Sequence, residues 1–261
     1  MATKLTAQET VELALSYLGT KQGSARHKEI IDYFNRKKPH GEKMTYVNAW
    51  CSTFASTMVM KAGYTTKNAA LSCQCSRMIA YAKQLGLWHE RDDIIPGIGW
   101  FVIYDWQDDG VGDDMGDPDH IGIVYKIHND HIFVVEGNKG KEHKCDYRRI
   151  SINNKNIRGF VEVRYKRKKR GYDKKLPTVS EIEKLTGRET LRVGDEGEAV
   201  LKWKRFLNWY FQAQVVEPTP LFGEITAKYT KIFKSQNRFK TWSGSVGVAS
   251  LKKAQQVIDR K

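Results

Sequence analysis

The twenty residues DHIGIVYKIHNDHIFVVEGN, Asp119 to Asn138, hold two apolar runs on either side of His128-Asn129-Asp130. Strand-length runs flanking a turn-forming tripeptide read as an antiparallel hairpin, His120–Ile127 against His131–Val135. Its register decides what the polar residues can do. With the three residues His128–Asp130 as the loop, partner numbers sum to 258, setting His120 opposite Asn138 and Gly122 opposite Glu136 on one face. A two-residue loop slips the pairing by one and turns both polar side chains away. In the first register a histidine at the head of a rigid strand has a group within reach of its second ring nitrogen, as a general base requires. Taken alone, His120 is more simply a surface residue at a strand end, so the base reading needs a nucleophile.

Working outward, Gly99–Tyr104 and Gly159–Tyr165 are further strand-like runs. Upstream, the segment from Thr6 to about Leu18 opens with the capping box Thr6-Ala-Gln-Glu9 and repeats apolar residues at Val11, Ala14, Leu15 and Leu18, which predicts a helix. Residues 19–46 are polar and broken by glycine and Pro39, predicting a long loop with one short helix around Lys28–Phe34. In AWCSTFASTMVMKAG, Cys51, Phe54, Ala55, Met58, Val59 and Ala62 follow a 3.6-residue period up to Gly63, so a buried helix carries Cys51 in its first turn. Another helix covers Cys75–Gln84. Helices first and an antiparallel meander afterwards make an α+β domain ending near Tyr165.

Cys51 is thus the candidate nucleophile, because unpaired N–H groups at a helix start favour a thiolate. A cysteine on an apolar helix is structural more often than reactive, and only a base beside it reverses that balance. The other three cysteines, Cys73, Cys75 and Cys145, read as small buried hydrophobes. Cys73-Gln-Cys75 lacks the spacing of a zinc knuckle, and a chain with no signal-peptide core is expected to keep its thiols reduced in the cytosol where it is made.

Beyond Tyr165, KRKKRGYDKKLPTVSE cannot build a core, so 166–188 reads as a basic linker. Residues 189–261 then offer three short helices, Gly197–Phe211, Gly223–Ser235 and Val248–Ile258, as a second small domain. The net charge of +14 is lopsided. Residues 1–165 hold 22 Lys+Arg against 20 Asp+Glu, and the remainder holds 22 against 10, so +12 of the excess lies C-terminal and calls for an anionic partner. Nucleic acid is disfavoured, because the aromatics do not interleave with Lys and Arg on predicted strands. No run reaches the roughly 18 apolar residues of a membrane span.

The run DWQDDGVGDDMGDPDH, Asp105 to His120, fails the helix–loop–helix calcium pattern, with Gly116 where the bidentate Glu belongs. Asp105, Asp109, Asp113 and Asp117 could still hold calcium irregularly, although a solvated loop is the plainer reading. Its aspartates, Asp117 and Asp119 above all, could instead raise the pKa of the histidine that follows.

Together AWCSTF on a buried helix, DHIGIV opening a strand and VVEGN on the next resemble the CHAP amidase/peptidase family of papain-like cell-wall hydrolases, and SCQCSRMIAYAKQLGLW is similar to a segment of phage lysins of this kind. The resemblance spans roughly residues 5–165. It implies a papain-like cysteine hydrolase domain, helices packed on an antiparallel sheet, with Cys51 as nucleophile, His120 as base, and Glu136 with Asn138 orienting and polarising. The oxyanion hole would be the Cys51 N–H and an upstream side chain, for which Tyr46 is the candidate. No cofactor is implied, although some members carry calcium. Farther on, GDEGEAVLKWKRFLNWYF, PLFGEITAKYTKIFKSQNRF and GSVGVASLKKA resemble the three-helix peptidoglycan-binding repeat, departing from it at Trp203, Lys204 and the insert QAQVVEPTP. Trp203, Trp209, Tyr210 and Trp242 are candidate sugar platforms, although at least half of such aromatics fill the core of a small helical domain.

The implied protein is a phage-type endolysin that cuts an amide of peptidoglycan. It waits in the host cytoplasm until a pore-forming holin admits it to the wall, where peptidoglycan and anionic polymers hold it. The alternative is a wall-binding or tail-associated structural protein without catalysis.

Overall fold

The computed structural model describes residues 4–91, 94–107, 116–128, 131–166, 175–211 and 215–259. The chain divides into two compact units, Met1–Lys166 and Arg167–Lys261.

The first unit is α+β. Helices α1 (Ala7–Leu15), α2 (Ala25–Lys37), α3 (Cys51–Lys61) and α4 (Cys75–Leu85) precede strands β1 (Trp88–Glu90), β2 (Phe101–Tyr104), β3 (His120–His128), β4 (His131–Lys139), β5 (Lys144–Ser151) and β6 (Ile157–Val161). The strands form one antiparallel sheet in the order β1-β6-β2-β3-β4-β5. From β2 to β5 it is a meander; β6 then returns to the far side of β2.

Helix α1 starts at the Thr6–Glu9 capping box legible in its sequence. Helix α2 is a correction to the sequence reading, being 13 residues long where a short helix was expected. Its buried face is only His27, Ile30, Ile31 and Phe34, so polar composition hid a stable amphipathic helix capped by the Ser24 hydroxyl. Helix α3 is the centre of the domain, buried at every residue from Cys51 to Met60. Two of its buried hydroxyls are satisfied by carbonyls, Ser56 donating to Ser72 O at 2.9 Å and Thr57 to Ile30 O at 3.4 Å. Phe54 of α3 and Trp50 before it press against Gly137 of β4, where an added Cβ would lie 2.6 Å from Phe54 Cβ and 2.9 Å from Trp50 Cζ3. Only glycine lets the helix start approach the sheet this closely. Strands β1 and β5 add to those read from sequence. In β5 the apolar signal is thin, with only Cys145 and Ile150 buried among polar and exposed residues, as suits an edge.

The second unit is helical among its described residues: α5 (Val179–Thr186), α6 (Glu198–Phe211), α7 (Glu224–Gln236) and α8 (Val248–Asp259). Helix α5 corrects the 166–188 linker. The sequence T-V-S-E is itself a capping box, Thr178 with Glu181, and Ile182 is fully buried in the core of this unit. Seven lysines and arginines just upstream disguised a four-residue start signal.

Two candidate sugar platforms prove to be core. Trp203 is fully buried with its Nε1 donating to Thr230 Oγ1 at 2.9 Å, and Tyr210 packs edge-on against Phe233. Trp203 sits on the inward stripe of α6 with Val200, Phe206 and Leu207, and its size closes the gap to α7. Trp203→Ala is therefore expected to destabilise this unit by about 3–5 kcal/mol; a melting curve of the second unit that does not move would contradict the core placement. Trp209 is half-buried at the edge of that core, and the Trp242 Nε1 donates to Phe239 O at 3.1 Å. The Lys204 ammonium is turned inward onto Thr219 Oγ1 and Leu221 O, and the Asn208 carboxamide binds the Val215 and Val216 amides, so together they hold the described part of the insert after α6.

Candidate active site

Cys51 is the first residue of α3, where the opening N–H groups lack partners one turn earlier. The turn before it is anchored by Trp50, fully buried and edge-on to His27 at 4.9 Å and to Phe54 at 6.0 Å. Facing it is His120, first residue of β3 and nearly buried. His120 Nε2 lies 3.3 Å from Glu136 Oε2, an ion-pair distance without the alignment of a hydrogen bond. Cys51 is the imidazole's other partner, and the two groups shift each other's pKa, the thiol downward and the ring upward.

The hairpin reaches this geometry by a route the sequence did not reveal. At its tip His128 pairs with His131 and Ile127 with Ile132, numbers that sum to 259, so the three-residue loop of the favourable register is absent. Between Val124 and Lys126 the pairing shifts, and Val124 meets Val134 and Ile123 meets Val135, which sum to 258. A bulge at Tyr125 thus restores the register that puts Glu136 on the face of His120. Gly122 is where they close. A Cβ there would come 2.3 Å from Val134 Cγ1 and 2.7 Å from Glu136 Cγ. Gly122→Ala must displace Glu136 or the strand. It is expected to cost about 1–3 kcal/mol of stability and to slow iodoacetamide alkylation of Cys51 at neutral pH; an unchanged alkylation rate would argue against Glu136 reaching the thiol through His120.

Glu136 is fully buried and its second oxygen accepts from Arg148 Nε of β5 at 2.6 Å. Arg148 in turn lies over the Trp106 ring at 4.6 Å and the Tyr104 ring at 5.5 Å. Tyr104 stacks on Trp106 and, more distantly, on His120. Cys51, His120, Glu136 and Arg148 therefore form a row of alternating charge, negative, positive, negative, positive, that sums to zero. Such neutrality lets ions persist away from water.

The titration behaviour follows. The hydrogen bond from the Cys75 thiol, then the imidazolium of His120, hold Cys51 well below the ordinary thiol range against the opposing effect of burial. Burial pulls His120 down, but Cys51 and Glu136 on its two sides outweigh it and lift it to about 9. Burial pushes Glu136 up, and His120 and Arg148 overcome it to keep the carboxyl below its usual range. Both shifts favour a thiolate–imidazolium pair over the neutral thiol and imidazole.

The remaining sequence candidates lie elsewhere. Asn138 adopts a left-handed backbone, φ 58°, inside an irregularity of the β4–β5 pairing, and its Oδ1 meets His143 Nδ1 at 3.1 Å. The structure does not bring it to His120, because the irregularity rotates its side chain out of the strand's alternation. Tyr46 is partly exposed, with its hydroxyl donating to Asp32 Oδ1 at 2.7 Å. Of the four calcium candidates, Asp109 and Asp113 lie outside the described residues. Asp105 Oδ1 accepts from the Gln107 amide at 3.1 Å, Asp117 lies in the chain leading to β3, and among the described residues no group of three or more carboxylates, cysteines and histidines is placed to share a metal. Asp119 accepts from Trp106 N at 2.6 Å and Gln107 Nε2 at 2.9 Å. It clamps together the two ends of the acidic segment, and the groups that raise His120 are Cys51 and Glu136 instead.

Sequence reasoning missed Arg148, Tyr104, Trp106 and Cys75. Arg148 is one of two adjacent arginines on an edge strand and nothing local marks it, whereas the phrase Tyr104-Asp-Trp106 at the end of β2 carried an aromatic signal beside the register partner of His120. In comparisons with known proteins, the chain matches no family model, no curated protein and no solved structure.

Proposed function

We propose that the chain is a cysteine hydrolase of peptidoglycan, a phage-type endolysin with a papain-like CHAP catalytic domain and a C-terminal wall-binding domain. The observation that carries this reading is the charge-balanced row from Cys51 through His120 and Glu136 to Arg148. The Cys51 thiolate attacks an amide carbonyl, and N–H groups at the start of α3 stabilise the oxyanion. His120, protonated, gives its proton to the leaving amine. The neutral imidazole then takes a proton from water, which attacks the thioester; the C–S bond breaks, freeing the acyl group as a carboxylic acid and restoring the Cys51 thiolate beside the His120 imidazolium. Glu136 holds the ring and favours its charged form, and Arg148 fixes Glu136.

The choice of peptidoglycan rests on the ordered motifs AWCSTF, DHIGIV and VVEGN and on the basic second unit. Binding of that unit to the wall and its anionic polymers would concentrate substrate amides around the catalytic half. With Trp203 and Tyr210 inside the core, Trp209 and Trp242 remain as sugar-contacting candidates. No helix among the described residues is long and apolar enough to cross a membrane. The endolysin reading itself calls for a separate pore-forming holin to release the protein from the host cytoplasm. Mass spectrometry of purified peptidoglycan digested by the protein tests the reading. New N-terminal L-alanine marks an amidase, another new amine marks an endopeptidase, and unchanged fragments sink the proposal.

A further inference from the structure

A second thiol adjoins the first. Cys75 opens α4 as Cys51 opens α3, both are buried to the same degree, and each thiol shifts the other's pKa, Cys51 downward and Cys75 upward. Cys75 is held in place independently, with its Sγ 3.0 Å from the hydroxyl of Ser52, the residue following Cys51. The other two cysteines face away. The Cys73 amide donates to Glu42 Oε2 at 2.9 Å and its thiol lies against the same carboxylate. Cys145 sits on β5 with its backbone bonded to Gly19 and Thr20. Burial, with Glu42 beside Cys73 and Asp146 beside Cys145, pushes these thiols up to about 11 and about 12. One reactive thiolate therefore has one thiol neighbour, and hydrolysis as proposed gives that neighbour no covalent task.

We infer that Cys51 and Cys75 form a reversible oxidation site, at which a hydroperoxide oxidises Cys51 and Cys75 closes the pair as a disulfide. The Cys51 thiolate attacks the peroxide O–O bond, becoming a sulfenic acid while the peroxide leaves as an alcohol or water after taking up a proton. The Cys75 sulfur then attacks the Cys51 sulfur. The S–O bond breaks, and the departing hydroxyl takes the Cys75 proton and leaves as water. A dithiol reductant returns both thiols. Two consequences follow: the disulfide removes the nucleophile, and Cys75 intercepts the sulfenic acid before a second peroxide carries it to the irreversible sulfinic acid. Because both cysteines are first residues of their helices, closing the bond asks for adjustment only at helix ends, where the backbone is least constrained by intrahelical bonds.

The site does not depend on which bond the enzyme cuts, or on whether it cuts one, and the test reads mass before activity. The full-length protein is treated with a small excess of hydrogen peroxide, blocked with iodoacetamide, and analysed intact and after proteolysis. The native chain is expected to lose the mass of two hydrogens, to yield a Cys51–Cys75 linked peptide, and to recover iodoacetamide-reactive Cys51 after dithiothreitol. Cys75→Ser and Cys75→Ala should both lack the linked peptide and accumulate Cys51 sulfinic acid that dithiothreitol does not reverse. A native chain whose Cys51 goes to sulfinic acid without a link, or links to Cys73 or Cys145, overturns the inference. So do Cys75 variants that are folded by circular dichroism yet as reversibly oxidised as the native chain.

Discussion

Cys51→Ala is expected to reduce hydrolysis of purified cell walls by about four to six powers of ten, the loss seen when a covalent nucleophile is removed from a working triad. The fold should barely register it. Cys51 is small, and deleting one sulfur from a nearly buried site costs on the order of 1 kcal/mol. A second effect is electrostatic. His120 loses one of the two partners that lift its pKa, leaving burial opposed by Glu136 alone, so the imidazole should titrate below its native value of about 9. Cys51→Ser separates chemistry from packing, because it retains a hydroxyl of similar size that does not ionise in this range. It should be as inactive as the alanine variant while filling nearly the same space. Turbidity loss measured for the three proteins decides the matter, and an alanine variant retaining more than about one per cent of native lysis would remove Cys51 from the mechanism.

What the sequence disclosed and what it hid divide along a physical line. Signals carried by adjacent residues were legible: the capping box of α1, the period of α3, and the apolar runs of β3 and β4. Cys51, His120 and Glu136 fall on such elements, so the helix and strands that carry them could be read from spacing. Features set by contacts between distant segments were hidden. The bulge at Tyr125 has no local turn signal, yet it changes the side of β4 that faces His120. Counting loop residues gave the useful pairing for the wrong reason, and placed Asn138 by extending that pairing through a second irregularity before Lys139. Arg148 reaches Glu136 across the sheet from β5, and Cys75 reaches Cys51 from the start of another helix. In the second unit, position in a helix face could not distinguish an aromatic platform from a core residue, since Trp203 satisfies the requirements of both until Thr230 and Phe233 are seen around it.

Glu136→Gln is expected to have the second largest effect, and its pH dependence distinguishes an orienting carboxylate from a merely structural one. The amide keeps the size and hydrogen-bonding capacity of the carboxylate but not its charge, so Arg148 faces a neutral group. Breaking a buried pair by neutralising one member costs about 3 kcal/mol at the low end of the range, which applies here because Arg148 is still partly in water. Hydrolysis should fall about 100-fold or more as the imidazole loses the group that orients and charges it. In the native chain His120 is raised from 6.5 to about 9, so its protonated form contributes stability fully below 6.5 and loses it as pH rises through 9. Glu136 is depressed, so its share is present above 4.5 and is lost as pH falls through its lowered value. Cys51, also depressed, acts in the same sense as Glu136, its share being lost as pH falls through its own folded value. In the proposed mechanism a protonated His120 expels the amine, so hydrolysis should decline on the alkaline side near pH 9. In Glu136→Gln burial acts on His120 with only Cys51 against it, and that alkaline limb must move to lower pH. Arg148→Lys supplies the graded control, since it preserves the charge beside Glu136 while losing the Nε contact, and its limb should lie between the other two. A limb that stays near 9 in Glu136→Gln would show that the carboxylate neither charges nor orients His120, and would leave Arg148 and Glu136 as a sheet-stabilising pair.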